Sequence, residues 1–196
     1  MIAVIDYGAG NLASVKKALD WLGEQSIITS DPAGVRRADK MILPGVGHFA
    51  STAALSRLGL REEIVAGIER GVPFLGICVG MQWMFAGSEE SPATKGLKLF
   101  DAECTRFPSA VKSPHVGWNQ VEVMPSSRLF RGVPSGSFVY FTHSFRAPVG
   151  DAMSACTEYG GPFCAAVERD HLFGVQFHPE KSGAAGLQLL RNFCAL

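Results

Sequence analysis

The 196-residue chain is 47% apolar and 18% charged, a globular composition with room for one domain over 1–196 and a substantial core. Eighteen Lys and Arg balance eighteen Asp and Glu, and a net charge of zero argues against a nucleic-acid binder, which carries a basic excess. No apolar run is long enough to span a membrane and the N-terminus lacks the basic start of an export signal, so the expected location is cytoplasmic.

In chain order, residues 1–7 form an apolar run closed by Gly8-Ala9-Gly10, as a buried strand feeding a turn should be. Asn11 is placed to cap a helix whose face is Leu12, Val15, Leu19 and Leu22, with Gly23 ending it. Strands are expected at 26–29 and 40–43, the second running into Pro44-Gly45-Val46-Gly47. A helix over 60–69 leads to a buried strand at 73–77. Apolar strands alternating with amphipathic helices predict an α/β fold with a largely parallel central sheet flanked by helices. After about residue 97 the texture changes to short runs at 97–107, 118–124 and 137–141, read as appended antiparallel strands. A strand at 172–177 and a helix at 184–193 close the chain.

Gly76-Ile77-Cys78-Val79-Gly80-Met81-Gln82 follows a buried strand and opens an amphipathic stretch. A nucleophile on a sharp strand-to-helix turn needs neighbours with almost no side chain, and glycines stand two before and two after Cys78. The start of the next helix offers N–H groups, notably that of Val79, to an anion or a developing oxyanion. The competing reading of this segment alone is a buried structural cysteine between packing glycines. The other four cysteines, at 104, 156, 164 and 194, make an odd total of five without C-x-x-C spacing. That predicts neither a disulfide framework nor a zinc site, and free cysteines packed as small hydrophobes.

Late in the chain His178-Pro179-Glu180 follows the run Phe173-Gly174-Val175-Gln176-Phe177. A thiol nucleophile needs a base that takes its proton and returns one to the leaving group, and imidazole titrates in the right range. A carboxylate two residues on can fix the ring's tautomer if the chain stays extended, which Pro179 favours. A surface turn and a pair of metal ligands are the alternatives; two donors without a third nearby make poor metal ligation. His48 and His171 sit in turns, and His115 and His143 lie in segments where the backbone is expected to matter more than the imidazole.

The Gly-x-Cys-x-Gly-x-Gln turn, the His-Pro-Glu segment and Pro44-Gly45-Val46-Gly47, in this order, resemble the class I, triad-type glutamine amidotransferases. The likeness covers nearly the whole chain and implies one domain with a flavodoxin-like core, no cofactor and no metal. It implies Cys78, His178 and Glu180 as the catalytic triad, and an oxyanion hole from Val79 and the Val46–Gly47 peptide. It assigns glutamine binding to Gly47, Gln82, Glu90, His143 and Ser144, although Glu90 in a polar loop and Gln82 on a helix also read as ordinary exposed residues. Tyr7 to Leu12, Pro44 to Phe49, Pro114 to Asn119 and His178 to Ser182 resemble one branch of that family, which serves histidine biosynthesis. That branch implies a heterodimer with a (β/α)₈-barrel cyclase that receives the ammonia, with Asn11, Trp118 and Lys181 at the interface. Departures are small: Val79 and Phe145 stand where the family often has Leu and Tyr. A different amidotransferase subunit or a related Cys-His-Glu hydrolase shares the triad, and a binding module with an inert cysteine is the non-enzymatic alternative.

Overall fold

Strands that must bury both faces are continuously apolar, and three such runs form the centre of the fold in the computed structural model, which describes residues 1–196. The strands are β1 (Ile2–Ile5), β2 (Ser26–Thr29), β3 (Lys40–Gly45), β4 (Phe74–Cys78), β5 (Phe85–Ser88) and β6 (Phe100–Arg106). They continue with β7 (His115–Val123), β8 (Ser137–His143), β9 (Phe145–Arg146), β10 (Met153–Glu158), β11 (Pro162–Arg169) and β12 (Leu172–Val175). The helices are α1 (Leu12–Trp21), α2 (Pro32–Arg36), α3 (Ala53–Arg57), α4 (Leu60–Glu69), α5 (Val79–Gln82) and α6 (Gly183–Cys194). Every residue of β1, β4 and β12 is buried, whereas β7 alternates toward solvent. No helix is long and apolar enough to cross a membrane.

Nine strands make one sheet in the order β2-β1-β3-β4-β12-β11-β10-β7-β8. The half from β2 to β12 is parallel. From β12 outward every pairing is antiparallel. The antiparallel strands therefore lengthen the main sheet, and only β5, β6 and β9 form a separate three-stranded sheet. A continuous cluster of 51 buried hydrophobic residues runs through the structure. Strand β4, which ends at Cys78, lies between β3 and β12, with Gly45 opposite Cys78 and Val175 opposite Ile77. The two segments singled out in the sequence thus leave the same edge of neighbouring strands, where ligands bind in open α/β sheets.

Three local expectations are corrected. Asn11 precedes α1 but makes no capping bond, because its side chain is turned to Glu180. The helix after Cys78 is one four-residue turn, so anion stabilisation there rests on its first free N–H groups rather than on a long helix dipole. Residues Pro179–Lys181 form a 3₁₀ turn rather than extended chain, since proline at a first helical position loses nothing by lacking an N–H.

The glycines around Cys78 have a measurable purpose. A Cβ on Gly80 would stand 1.9 Å from the Leu43 carbonyl oxygen, and one on Gly76 would stand 2.5 Å from the Gly80 oxygen. Both obstacles are backbone and cannot swing away. Gly80→Ala is expected to destabilise the protein by about 3 kcal/mol or more, lowering the melting temperature by roughly 6–12 °C. An unchanged melting curve would show that the turn tolerates a side chain there.

Candidate active site

Cys78 is a non-glycine residue held at φ 55°, ψ −109°, a left-handed conformation that the parallel strand and the following turn must enforce. Its Sγ accepts a long hydrogen bond from Gln176 Nε2 at 3.6 Å and lies 3.9 Å from the Thr142 carbonyl oxygen. The other four cysteines are free, and burial pushes each of their thiols upward: Cys164 and Cys194 to about 12, with Cys104 and Cys156 also raised. They are poor nucleophiles, as expected.

His178 Nδ1 lies 2.9 Å from Glu180 Oε1, and both side chains are 1% exposed. The backbone holds the histidine from both sides. Its N–H donates to the Tyr140 carbonyl at 2.9 Å, and its carbonyl accepts from Ser182 Oγ at 2.6 Å, an oxygen that also accepts from the Tyr140 N–H. Burial works against charge on the ring, but hydrogen bonding and attraction from Cys78 and Glu180 outweigh it and lift His178 to about 10. Its Nε2 is buried without a hydrogen-bond partner of standard geometry, although the sulfur is near enough to favour the imidazolium. An imidazole anchored at Nδ1 with Nε2 left free beside a thiol has the arrangement that nucleophilic acyl transfer requires.

A cavity of about 280 Å³ opens over the sulfur. It is small for a drug-sized ligand and suited to a single amino acid. Gly47, Gln82, Glu90, His143 and Ser144, the five residues assigned to glutamine, all line it, together with Cys78 and Val79. Gly47 has φ +88° with nothing near the place of a Cβ, so glycine is needed there for conformation and not for space. Glu90 is not an ordinary solvated acid, because its Oε2 accepts from the Phe49 N–H at 2.7 Å at the cavity wall. Gln82 is buried rather than solvent-facing, and its Nε2 donates to the Phe145 carbonyl and to Gln176 Oε1, both at 3.0 Å.

Sequence reasoning missed Gln176, Thr142 and the imidazoles of His115 and His143. The two rings are buried, 3.2 Å apart at their nearest nitrogens, and burial lowers them to about 4 and about 3. Gln176 carried a readable signal, a lone amide in an otherwise apolar run immediately before His-Pro-Glu.

Of the three residues expected at an interface, Asn11 reaches the Glu180 carboxylate, while Lys181 and Trp118 both pack on Tyr140. Asn11 Nδ2 donates to Glu180 Oε1 at 3.3 Å, and the Lys181 ammonium stands 5.7 Å from the Tyr140 ring centre. Tyr140 in turn packs edge-on to Trp118. Trp118 is 56% exposed, which excludes a core role, and Val116 and Phe138 share its exposure on β7 and β8. In the register of β7 with β8 the three fall on one face of the sheet, as an exposed apolar patch.

Comparison with known proteins agrees with this geometry. The glutamine amidotransferase class-I family matches residues 3–196. The imidazole glycerol phosphate synthase subunit HisH of Moorella thermoacetica is 49% identical over 195 residues, covering 98% of this chain and 93% of that protein. The HisH subunit of Methanothermobacter thermautotrophicus is 47% identical, with 98% and 97% covered. Among solved structures, PurLQS from Thermotoga maritima superposes with a TM-score of 0.78 over 99% of this chain and 97% of the other, at 19% identity, a likeness of fold alone. The chain belongs to the class I glutamine amidotransferases, and within them to the HisH subunits of imidazole glycerol phosphate synthase.

Proposed function

We propose that the chain is the glutaminase subunit of imidazole glycerol phosphate synthase. It hydrolyses glutamine to glutamate and ammonia, and the ammonia passes to a cyclase subunit that converts PRFAR to imidazole glycerol phosphate and AICAR in histidine biosynthesis. The observation that carries the reading is the buried Cys78, His178 and Glu180 constellation beneath an amino-acid-sized cavity. Identity of 49% to a HisH subunit over 98% of the chain supports the choice of synthase.

The roles are these. Cys78 passes its proton to His178 Nε2, and the sulfur attacks the side-chain amide carbon of glutamine. The C–S bond forms as the carbonyl electron pair moves to oxygen, where the Val79 N–H and the Val46–Gly47 peptide receive it. The C–N bond then breaks, the nitrogen takes the proton from His178, and ammonia leaves a thioester behind. His178 next deprotonates water, which attacks the thioester and releases glutamate, the sulfur recovering its proton. Glu180 holds the ring by Nδ1 throughout. Gln82, Glu90, His143 and Ser144 line the substrate's place, Glu90 as a counter-charge for its α-ammonium group. Asn11, Trp118 and Lys181 meet a (β/α)₈-barrel cyclase in a cytoplasmic heterodimer, and a flip of the Gly47 peptide completes the oxyanion hole when that cyclase is occupied.

The test measures glutamate release from glutamine with the chain alone, with the cyclase subunit, and with cyclase plus PRFAR. Little release alone and a rise of about 10²-fold or more in the full mixture is expected, the scale of one oxyanion donor. High activity in the isolated chain would remove the gating. Stimulation only by another pathway's synthase would overturn the assignment.

A further inference from the structure

We infer that Gln176 holds the Cys78 sulfur for reaction, and that a single backbone carbonyl, that of Phe145, fixes the direction in which Gln176 does so. This rests on the reading of Cys78 as the nucleophile and assigns a residue to it beyond the triad.

The argument is one of donors and acceptors. A carbonyl oxygen only accepts, so the side-chain atom of Gln82 that lies 3.0 Å from Phe145 O must be its NH₂. The same nitrogen lies 3.0 Å from the Gln176 amide, which must therefore present its oxygen to Gln82. That leaves the Gln176 NH₂ facing Cys78 Sγ at 3.6 Å, a donor aimed at the atom that becomes nucleophilic. Gln176 is 0% exposed and Gln82 2%, so no solvent competes for either amide. In the opposite orientation the Gln176 oxygen would face the sulfur and repel developing negative charge.

The other lone pair of Phe145 O is also taken, and it orders a second set of groups. His143 Nδ1 lies 2.8 Å from it and must donate, which makes His143 Nε2 an acceptor. His115 Nδ1 donates to that nitrogen at 3.2 Å, leaving His115 Nε2 to accept from Asn119 Nδ2 at 3.4 Å. The far end sets the same direction independently. Asn119 Nδ2 also donates to the Glu158 carbonyl at 3.1 Å, and Asn119 Oδ1 accepts from the Gln120 N–H at 2.8 Å. Two carbonyls at opposite ends thus demand one polarity from every amide and ring between them. Each ring must be neutral to serve as donor on one nitrogen and acceptor on the other, and burial keeps both so. The rings cannot easily turn over: His115 is stacked between Phe141 and Tyr159, with centroids at 4.8 and 4.0 Å. His143 and His115 act as positioning residues through the Phe145 carbonyl.

The test uses the full chain assembled with its synthase partner, with glutamine as substrate and iodoacetamide as the probe of the sulfur. Gln176→Glu keeps an acceptor for Gln82 and removes the donor to sulfur, while Gln176→Met removes both. Each is expected to lower kcat and the rate of Cys78 alkylation by about 10- to 100-fold, the scale of one hydrogen bond to a charged group, with KM moving by less than about threefold. Parental kcat and alkylation in folded variants, alongside an inactive Cys78→Ala control, would overturn this inference and leave the glutaminase reading intact. An active Cys78→Ala control would overturn that reading instead. A measurement on the unsubstituted protein decides the matter if the variants fail to fold. In ¹⁵N-glutamine spectra, the Gln176 side-chain NH₂ is expected to shift when Cys78 is alkylated while the Gln82 NH₂, held by Phe145 O, stays in place, and a Gln176 NH₂ that does not respond to the sulfur would overturn the inference.

Discussion

Cys78→Ala is expected to lower glutamate release by about 10⁴-fold or more, the loss seen when the nucleophile of a triad is removed. The hydroxyls at the cavity, of Ser144 and Thr142, make no hydrogen bond to His178 Nε2 and so have no base to activate them. Thr142 contributes its carbonyl, Gln176 and Gln82 are amides, and the remaining thiols are remote from His178 in function because burial holds them protonated. The substitution removes little volume, and the backbone strain at φ 55° is carried by alanine as it is by cysteine. A folded, glutamine-binding but inactive protein is therefore the expected result, checked by a glutamate assay beside a thermal melt. A glutamine-like electrophile should label the parent at Cys78 alone. Residual turnover near the parental rate would remove Cys78 from the mechanism.

Glu180→Gln is expected to reduce kcat by about 10²- to 10⁴-fold with little change in KM. The carboxylate is the only acidic partner of a buried imidazole, and its Oε1 receives both His178 Nδ1 and Asn11 Nδ2. An amide of the same shape can accept a proton from the ring but carries no charge to hold the imidazolium formed in the reaction. It can also turn its NH₂ toward Nδ1 and so force the wrong tautomer. The same variant has a pH signature. His178 is raised from 6.5 to about 10 in the folded protein, so the stability drawn from its charged form is present in full below pH 6.5 and is lost as pH rises toward 10. The stability gap between parent and Glu180→Gln should accordingly narrow between pH 6.5 and 10, as denaturant melts across that range will read. A gap that widened with pH would contradict the role given to the carboxylate.

Much of this arrangement is local in the sequence and therefore legible there. The Gly76–Gly80 turn, the strand at 26–29 and the helix at 60–69 depend on short-range chemistry, and each lies where its residues place it. Strands β10 and β11 were not legible, because Ala and Cys dilute their pattern. Their one signal is the Gly160-Gly161 turn between them. The polar groups behind the cavity were harder still. Nothing local in the sequence brings Gln82 to Gln176, or His115 to His143; each pair meets only because β12 lies beside β4 and β8 beside β7. The interior of the site is a property of strand order, which periodicity does not encode.

The pairing of Val175 with Ile77 has an evolutionary consequence. The segments that carry sulfur and imidazole leave two adjacent strands, which lie about 4.8 Å apart in any sheet, so their meeting depends on that pairing and on the Tyr140 and Ser182 bonds to His178, and not on the length of polypeptide that joins them. Hairpin tips in the long intervening stretch can lengthen, shorten or change composition while the reacting atoms stay in register. Such a scaffold can vary its outer loops at little risk to its chemistry only where they leave Tyr140 to Ser144 in place, since that stretch holds His178 and walls the cavity over Cys78.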